Sequence, residues 1–301
     1  MDFRALRPGD VLAIAIVPLF LSTNVVIGRF VANDVGPWTL AFLRWTTAFL
    51  ILAPFAAGGI WENLARIRLE IRQIALLGFL GMFVCGGIVY LALHHTTAAN
   101  ATLIYTASNV MILVFEWLFR GRPIGLREII GTVLAVSGVA VVALGSEGWR
   151  LALNPGDALI GVAATAWAVY SVLLKRPSLT KIPGQVLFAA IVLTGTTMLV
   201  PMTVWEVATG PALPQTGTAW LAVLAVALIP SVGAYSGYQY GVRRFGPTAM
   251  AMSSYLWTPY GLLLSITFLG ETLHAYHVVG LALILPGVVL ATARFPVRRA
   301  V

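Results

Sequence analysis

The chain has 301 residues, 59% of them hydrophobic and 10% charged, with a mean hydropathy of +0.90 and a formal net charge of +8. Soluble domains carry about 25% charged residues, so this composition excludes a soluble globular protein and points to one embedded in a bilayer.

Crossing a hydrocarbon core of about 30 Å takes roughly 20 helical residues. The apolar runs predict ten such spans, at 10–32, 36–57, 72–93, 97–119, 126–146, 157–175, 183–205, 218–240, 246–268 and 276–293. They are continuously apolar, whereas membrane strands alternate over about 10 residues, so the expected fold is an all-α integral membrane bundle. The first span has no short apolar core with a cleavage site and is expected to be retained.

Taken along the chain, each span carries its own polar punctuation. The first holds Pro18, Ser22, Thr23 and Asn24, and Arg29 toward its end. The second holds Arg44 within "AFLRWTTAFL", roughly 10 Å below the outer surface at 1.5 Å per residue. A charge at that depth must pair, snorkel or bind substrate. The expectation is a latch from Arg44 to the outer ends of the first and third helices, through Asp34, Asn33 or His94; a substrate carboxylate is the alternative. The third span contains Cys85, read as a packing residue, and Gly86-Gly87, a candidate hinge, and it ends at His94 and His95. The fourth has Tyr105, Ser108 and Asn109, with Glu116 near its cytoplasmic end as the only acid clearly inside a span. The sixth has Trp167, Tyr170 and Ser171. The eighth, "PSVGAYSGYQYG", offers Pro230, Tyr235, Tyr238 and Gln239, and the ninth, "SSYLWTP", offers Ser254, Trp257 and Pro259.

Helical spacing puts Tyr235 and Gln239 on one stripe, as it does Tyr105 with Asn109 and Ser254 with Trp257. Such a wall suits a zwitterion, with amides and hydroxyls for its charged groups and ring faces for its side chain. The plainer reading of each residue is a hydroxyl bonded back to its own helix or a ring anchored at the interface. Pro18, Pro230 and Pro259 each remove a backbone bond inside a span and are candidate hinges or tolerated kinks.

Sixteen of the 19 Lys and Arg fall in segments that are cytoplasmic if the N-terminus is inside, against Arg150 alone in an outer loop. The positive-inside rule therefore predicts both termini in the cytoplasm, and it explains the net charge without nucleic acid. Histidines 94 and 95 and Glu116 are the candidates for proton coupling. No cofactor, metal set or catalytic motif is present in the sequence: there is no HExxH, no Cys/His cluster and no paired aspartate, so no enzyme is expected. Ten helices are enough to enclose a path in one chain, so nothing in the sequence requires an oligomer.

The chain also repeats. "GDVLAIAIVPLFLSTNVVIGRF" from Gly9 aligns with "GDALIGVAATAWAVYSVLLKRP" from Gly156, and the region from Leu118 aligns with that from Thr267, pairing Gly131 with Gly280 and Gly138 with Gly287. Residues 1–149 and 150–301 are thus expected to be two five-helix repeats, and an odd helix count inverts the second.

This pattern, with "TLAFLRWTTAFLIL" in the second span, "LSTNVVIGRF" in the first and "SSYLWTPYGLLLSITFLGETLHAYHVVGLALILPGVVL" near the end, resembles the EamA-type branch of the drug/metabolite transporter superfamily. It is most similar there to bacterial exporters of aromatic amino acids. The resemblance implies a central cavity bounded by the first, third, fourth, sixth, eighth and ninth helices. It implies amino acids as the small-molecule substrate, with cationic drugs or nucleotide-linked metabolites as the alternative cargo, and a scaffold role for the arginine at position 44. Glu271, in the "LGE" phrase, has no acidic counterpart in the first repeat.

Overall fold

The computed structural model describes residues 8–120, 125–146, 148, 154–174, 176–238 and 256–292. Among these residues all regular structure is helical. Ten principal helices follow one another: α1 (Pro8–Phe30), α2 (Pro37–Glu62), α3 (Ile71–Ala92), α4 (Ala98–Phe119), α5 (Leu126–Ser146), α6 (Pro155–Leu174), α7 (Gly184–Thr209), α8 (Gly217–Tyr238), α9 (Trp257–Leu269) and α10 (Ala275–Thr292). Helices α2 to α8 are long and apolar enough to cross a membrane, and three further apolar stretches, Ala15–Phe30, Trp257–Leu269 and Ala275–Leu290, are shorter. The expected ninth span began at residue 246, and much of its first half lies outside the described residues.

Side chains that face outward include Phe55, Trp61, Val133, Trp205 and Phe268, whereas the α5 stripe facing inward is Gly131, Ala135, Gly138, Val142 and Gly145. This is the arrangement lipid favours, because hydrocarbon offers no penalty to exposed Phe or Val and close packing of small residues supplies the attraction between helices. A Cβ built on Gly138 would lie 2.9 Å from the Gly280 carbonyl oxygen, and one on Gly287 would lie 2.8 Å from that of Gly131. The backbones of α5 and α10 therefore touch at positions that admit only glycine.

Neighbouring helices run antiparallel in several pairs. Thr203 of α7 donates to the Trp38 carbonyl of α2 at 3.2 Å, while a Cβ on Gly59 at the other end of α2 would meet Val186 at the start of α7. Thr106 of α4 and Thr258 of α9 share a hydroxyl hydrogen bond at 2.7 Å, and Ala98 at the start of α4 meets Glu271 beyond the end of α9. Helix α3 packs on α6 through Gly81, whose Cβ would stand 3.0 Å from the Tyr170 ring.

Two helices widen into π-helical turns, α3 at Phe79–Ile88 and α8 at Ala227–Gly233. Pro230 lies inside the second and cannot donate a backbone hydrogen bond, which accounts for the widening there. In the first, Gly86 and Gly87 lie against Trp45 and Trp38 of α2: Cβ atoms would approach those rings to 3.0 and 2.3 Å. These two glycines make room for tryptophans. Pro259 is the third residue of the described part of α9, and the residues before Leu256 lie outside the described ones.

Candidate functional site

The centre of the bundle is built outward from Arg44, which is only 4% exposed. Its Nε donates to Ser231 Oγ at 2.6 Å, and its Nη1 donates to Asn24 Oδ1 at 2.6 Å and to the Tyr90 hydroxyl oxygen at 2.9 Å. Tyr90 in turn donates to Asn24 Oδ1 at 2.8 Å. Ser231 is available because its own hydroxyl donates to the Val226 carbonyl, five residues back across the π turn of α8. The guanidinium carbon also stands 4.4 Å from the centroid of the Trp45 ring, a cation–π distance. Three helices, α1, α3 and α8, thereby converge on one side chain of α2.

This corrects the expected latch. Asn33 and Asp34 are exposed and His94 is not a partner of Arg44, because the arginine faces the middle of the bundle and not its outer rim. The C-terminal ends of α1 and α3 are tied instead by Arg29, which donates to the Leu93 carbonyl.

Arg44 borders a cavity of about 60 Å³ shared with Asn24, Trp45, Gly81, Cys85, Tyr105, Trp167, Pro230, Tyr235 and Trp257, among others. Contributions come from the six helices that the resemblance implied, and from α2 in addition. Its walls carry rings that pair with one another or with a ring behind them. Tyr105 and Trp257 have centroids 5.2 Å apart, Trp167 and Tyr170 5.3 Å, and Trp45 meets Tyr235 edge-on at 6.1 Å. Such pairs favour offset or tilted contact because the ring edge is positive and the face negative. The volume holds a few waters, short of the roughly 300–1,000 Å³ of small-molecule sites. No acidic side chain lines the cavity among the described residues.

Of the residues singled out in the sequence, Asn24, Tyr105, Trp167, Tyr235 and Trp257 thus line one cavity with Arg44 and Pro230. Tyr170 is buried beside Trp167 without lining it. Asn109 does not line it, and Tyr238 is 40% exposed at the end of α8. Gln239 and Ser254 lie outside the described residues. Tyr90, Ser231 and Trp45 were missed; only the π turn and the helix facing bring them to the arginine.

Of the coupling candidates, Glu116, His94 and His95 are not among the cavity's lining residues. Burial pushes the His94 imidazole below its ordinary value, with His95 and Arg29 adding to the effect and Glu206 opposing it. Glu116 is half-buried, whereas an acid at the edge of the expected sixth span, Asp157, is buried. Asp157, 4% exposed in the first turn of α6, accepts hydrogen bonds from Thr96, from Asn100 Nδ2 at 3.3 Å and from Ser146 at 3.1 Å. Asn100 Oδ1 is 2.9 Å from His277 Nε2, and His277 Nδ1 accepts from the His274 backbone N–H at 3.0 Å, so the donor in the first contact is Nε2–H. This network ties α4, α5, α6 and α10 together away from the cavity.

Two further carboxylates act at helix starts. Glu206 accepts from the backbone N–H and hydroxyl of Thr39, both at 2.7 Å, and Glu271 accepts from the N–H groups of Ala98 and Ala99 at 2.8 and 2.9 Å. Both neutralise donors that a helix N-terminus leaves unpaired.

Comparison with known proteins agrees with this architecture. The chain is 29% identical over 263 residues to a "Probable terminal-alkyne amino-acid exporter" of Streptantibioticus cattleyicolor, covering 86% of this chain and 85% of that one. It is 29% identical over 299 residues to the "Uncharacterized inner membrane transporter YedA" of Escherichia coli, covering 97% and 93%. A solved crystal structure superposes with a TM-score of 0.62 at 21% identity, covering 95% of this chain and 97% of the other, a likeness of fold. The model of the EamA-like transporter family matches residues 8–144 and again 154–293, and the chain therefore belongs to that family of multipass membrane transporters.

Proposed function

We propose that the protein exports aromatic and other neutral amino acids, with related small metabolites, by alternating access through the central cavity. In this reading ten helices cross the bacterial inner membrane as two inverted repeats, 1–149 and 150–301, with both termini cytoplasmic. Support for the repeats comes from the antiparallel pairing of α2 with α7, α4 with α9 and α5 with α10, which are repeat mates in the sequence alignment. The contact of Gly138 with Gly280 also exchanges with that of Gly287 with Gly131 when the two halves are swapped.

The observation that favours amino acids is the pairing of aromatic walls with one guanidinium in a single enclosed space. Rings accept an apolar side chain, and polar groups few in number fix its orientation. The exporter named in S. cattleyicolor points the same way. Cationic drugs would call for an acid in the cavity wall, and none lines it among the described residues. At about 60 Å³ the space must enlarge to admit an amino acid, so the ring pairs Tyr105–Trp257 and Trp167–Tyr170 separate during transport.

The test is uptake of labelled threonine, methionine and phenylalanine into liposomes holding the purified protein, with and without an imposed pH gradient. Saturable uptake that phenylalanine competes for is the expected result. No uptake above empty liposomes, with the protein folded by thermal melting, overturns the proposal.

A further inference from the structure

The polar inventory of the cavity is lopsided. A guanidinium carries five N–H donors. Arg44 spends its Nε on Ser231 and its Nη1 on Asn24 and Tyr90, and Nη2 has no partner among the described residues. Nη2 is also absent from the nitrogens sealed away from all space, whereas the indole N–H of Trp257, on the same cavity, is sealed and has no acceptor. The three groups that do bond Arg44 are neutral, and no carboxylate among the described residues pairs with it. A positive charge is thus held in a nearly dry space with its hydrogen bonds incomplete. Buried cations of this kind are ordinarily paired.

The rest of the wall offers no anion: its polar side chains, Asn24, Cys85, Tyr105, Tyr235 and the tryptophans, are neutral. Asn24 Oδ1 already accepts from both Arg44 and Tyr90. Cys85 Sγ is turned to the Ala163 carbonyl at 3.4 Å. A ligand ammonium would find ring faces and no anion. A ligand carboxylate would find the open Nη2 of a guanidinium whose other two nitrogens are held by α1, α3 and α8.

We propose that Arg44 Nη2 is the substrate-carboxylate receptor, so that the cavity selects aromatic and apolar monocarboxylates by their anionic group and does not require the ammonium. This rests on the reading of the cavity as the transport site, and it narrows that reading: 2-amino acids bind as one kind of carboxylate among others. With Nε–H and both Nη1–H groups engaged, the carboxylate is received by the N–H groups of Nη2 alone, on a guanidinium whose plane the three protein partners hold fixed, an aim that an ammonium-bearing lysine would not reproduce.

The experiment measures quenching of tryptophan fluorescence in the purified protein, since Trp45, Trp167 and Trp257 all line the cavity. The titrants are phenylalanine, 3-phenylpropionate, which lacks the ammonium, and phenethylamine, which lacks the carboxylate. Phenylalanine uptake into liposomes is measured in parallel. The expected result is saturable quenching by phenylalanine and 3-phenylpropionate with affinities within about tenfold of one another, mutual competition, and none by phenethylamine. Arg44→Gln is expected to abolish the carboxylate response and Arg44→Lys to restore it in part.

If phenylalanine is transported but 3-phenylpropionate neither quenches nor competes, the carboxylate inference is overturned and the export reading stands. Quenching by phenethylamine equal to that by 3-phenylpropionate also overturns it. If 3-phenylpropionate binds and no amino acid is transported, the inference stands and the amino acid reading falls. Silence toward all three compounds in folded protein overturns both.

Discussion

Replacing Glu271 tests how the two halves of the chain hold each other. Gly270 ends α9 in the left-handed conformation at φ 65°, which reverses the chain and directs Glu271 to the start of α4. There its two carboxylate oxygens accept from Ala98 N–H at 2.8 Å and Ala99 N–H at 2.9 Å, while Thr97 accepts from Asn100 N–H. Each charge-assisted bond is worth about 1.5–3 kcal/mol when well buried. Glu271 is half-buried, so solvent reduces each bond to about 1–2 kcal/mol, and Glu271→Ala should cost about 2–4 kcal/mol in all. Glu271→Gln keeps one acceptor and presents an amide N–H₂ to the second donor, so it should lose about half as much. At about 2 °C per kcal/mol, the scaling of large domains, the melting temperature should fall by about 4–8 °C for the alanine variant and about 2–4 °C for glutamine. Cys85 is the only cysteine and is turned toward the cavity and Ala163, so a thiol-reactive fluorophore read during heating reports opening of the bundle. A melting temperature unchanged in Glu271→Ala, or a glutamine variant as damaged as alanine, would refute this account of the helix start.

Three further outcomes follow from other contacts. Tyr90→Phe strips one partner from Arg44 Nη1 and one from Asn24, and should cost about 1–3 kcal/mol by the same melting assay, with weaker transport, because it loosens the guanidinium. Gly138→Ala drives a methyl to within 2.9 Å of the Gly280 carbonyl oxygen and should lower the yield of folded protein sharply, whereas Gly161→Ala, with nothing within 4 Å of its new methyl, should behave as the parent. For His94, a folded-state value held below the ordinary histidine range of about 6.5 means that the unfolded chain takes up the proton first. Stability should therefore be undiminished by this group at neutral pH and fall as the pH drops below about 6.5, and His94→Gln should remove that acid-side loss in a pH series of melting temperatures.

Much of this protein was legible from the order of its residues. Continuous apolar runs leave the chain no stable home but lipid and no regular backbone but helix, and so the spans, the partly described ninth aside, emerged within a few residues of the described helix limits. The paired glycines of α5 and α10 were visible as a repeat, and five of the proposed lining residues, Asn24, Tyr105, Trp167, Tyr235 and Trp257, do meet around one cavity. Those residues announce themselves because a polar or aromatic side chain in an apolar run must be accounted for locally.

The partners of Arg44 were not legible. Hydrophobicity states that an arginine needs neighbours, but which neighbours depends on the rotation of α2 and on the π turn that swings Ser231 into reach. Sequence distance misled in the same way for Asp157, Asn100 and His277, which sit on three helices and form one hydrogen-bonded chain. The sequence by itself determined the medium, the class of secondary structure and the places where helices can touch, since each follows from local composition. Only the tertiary structure decided which faces turn inward together, because that choice is made by packing between residues far apart in the chain.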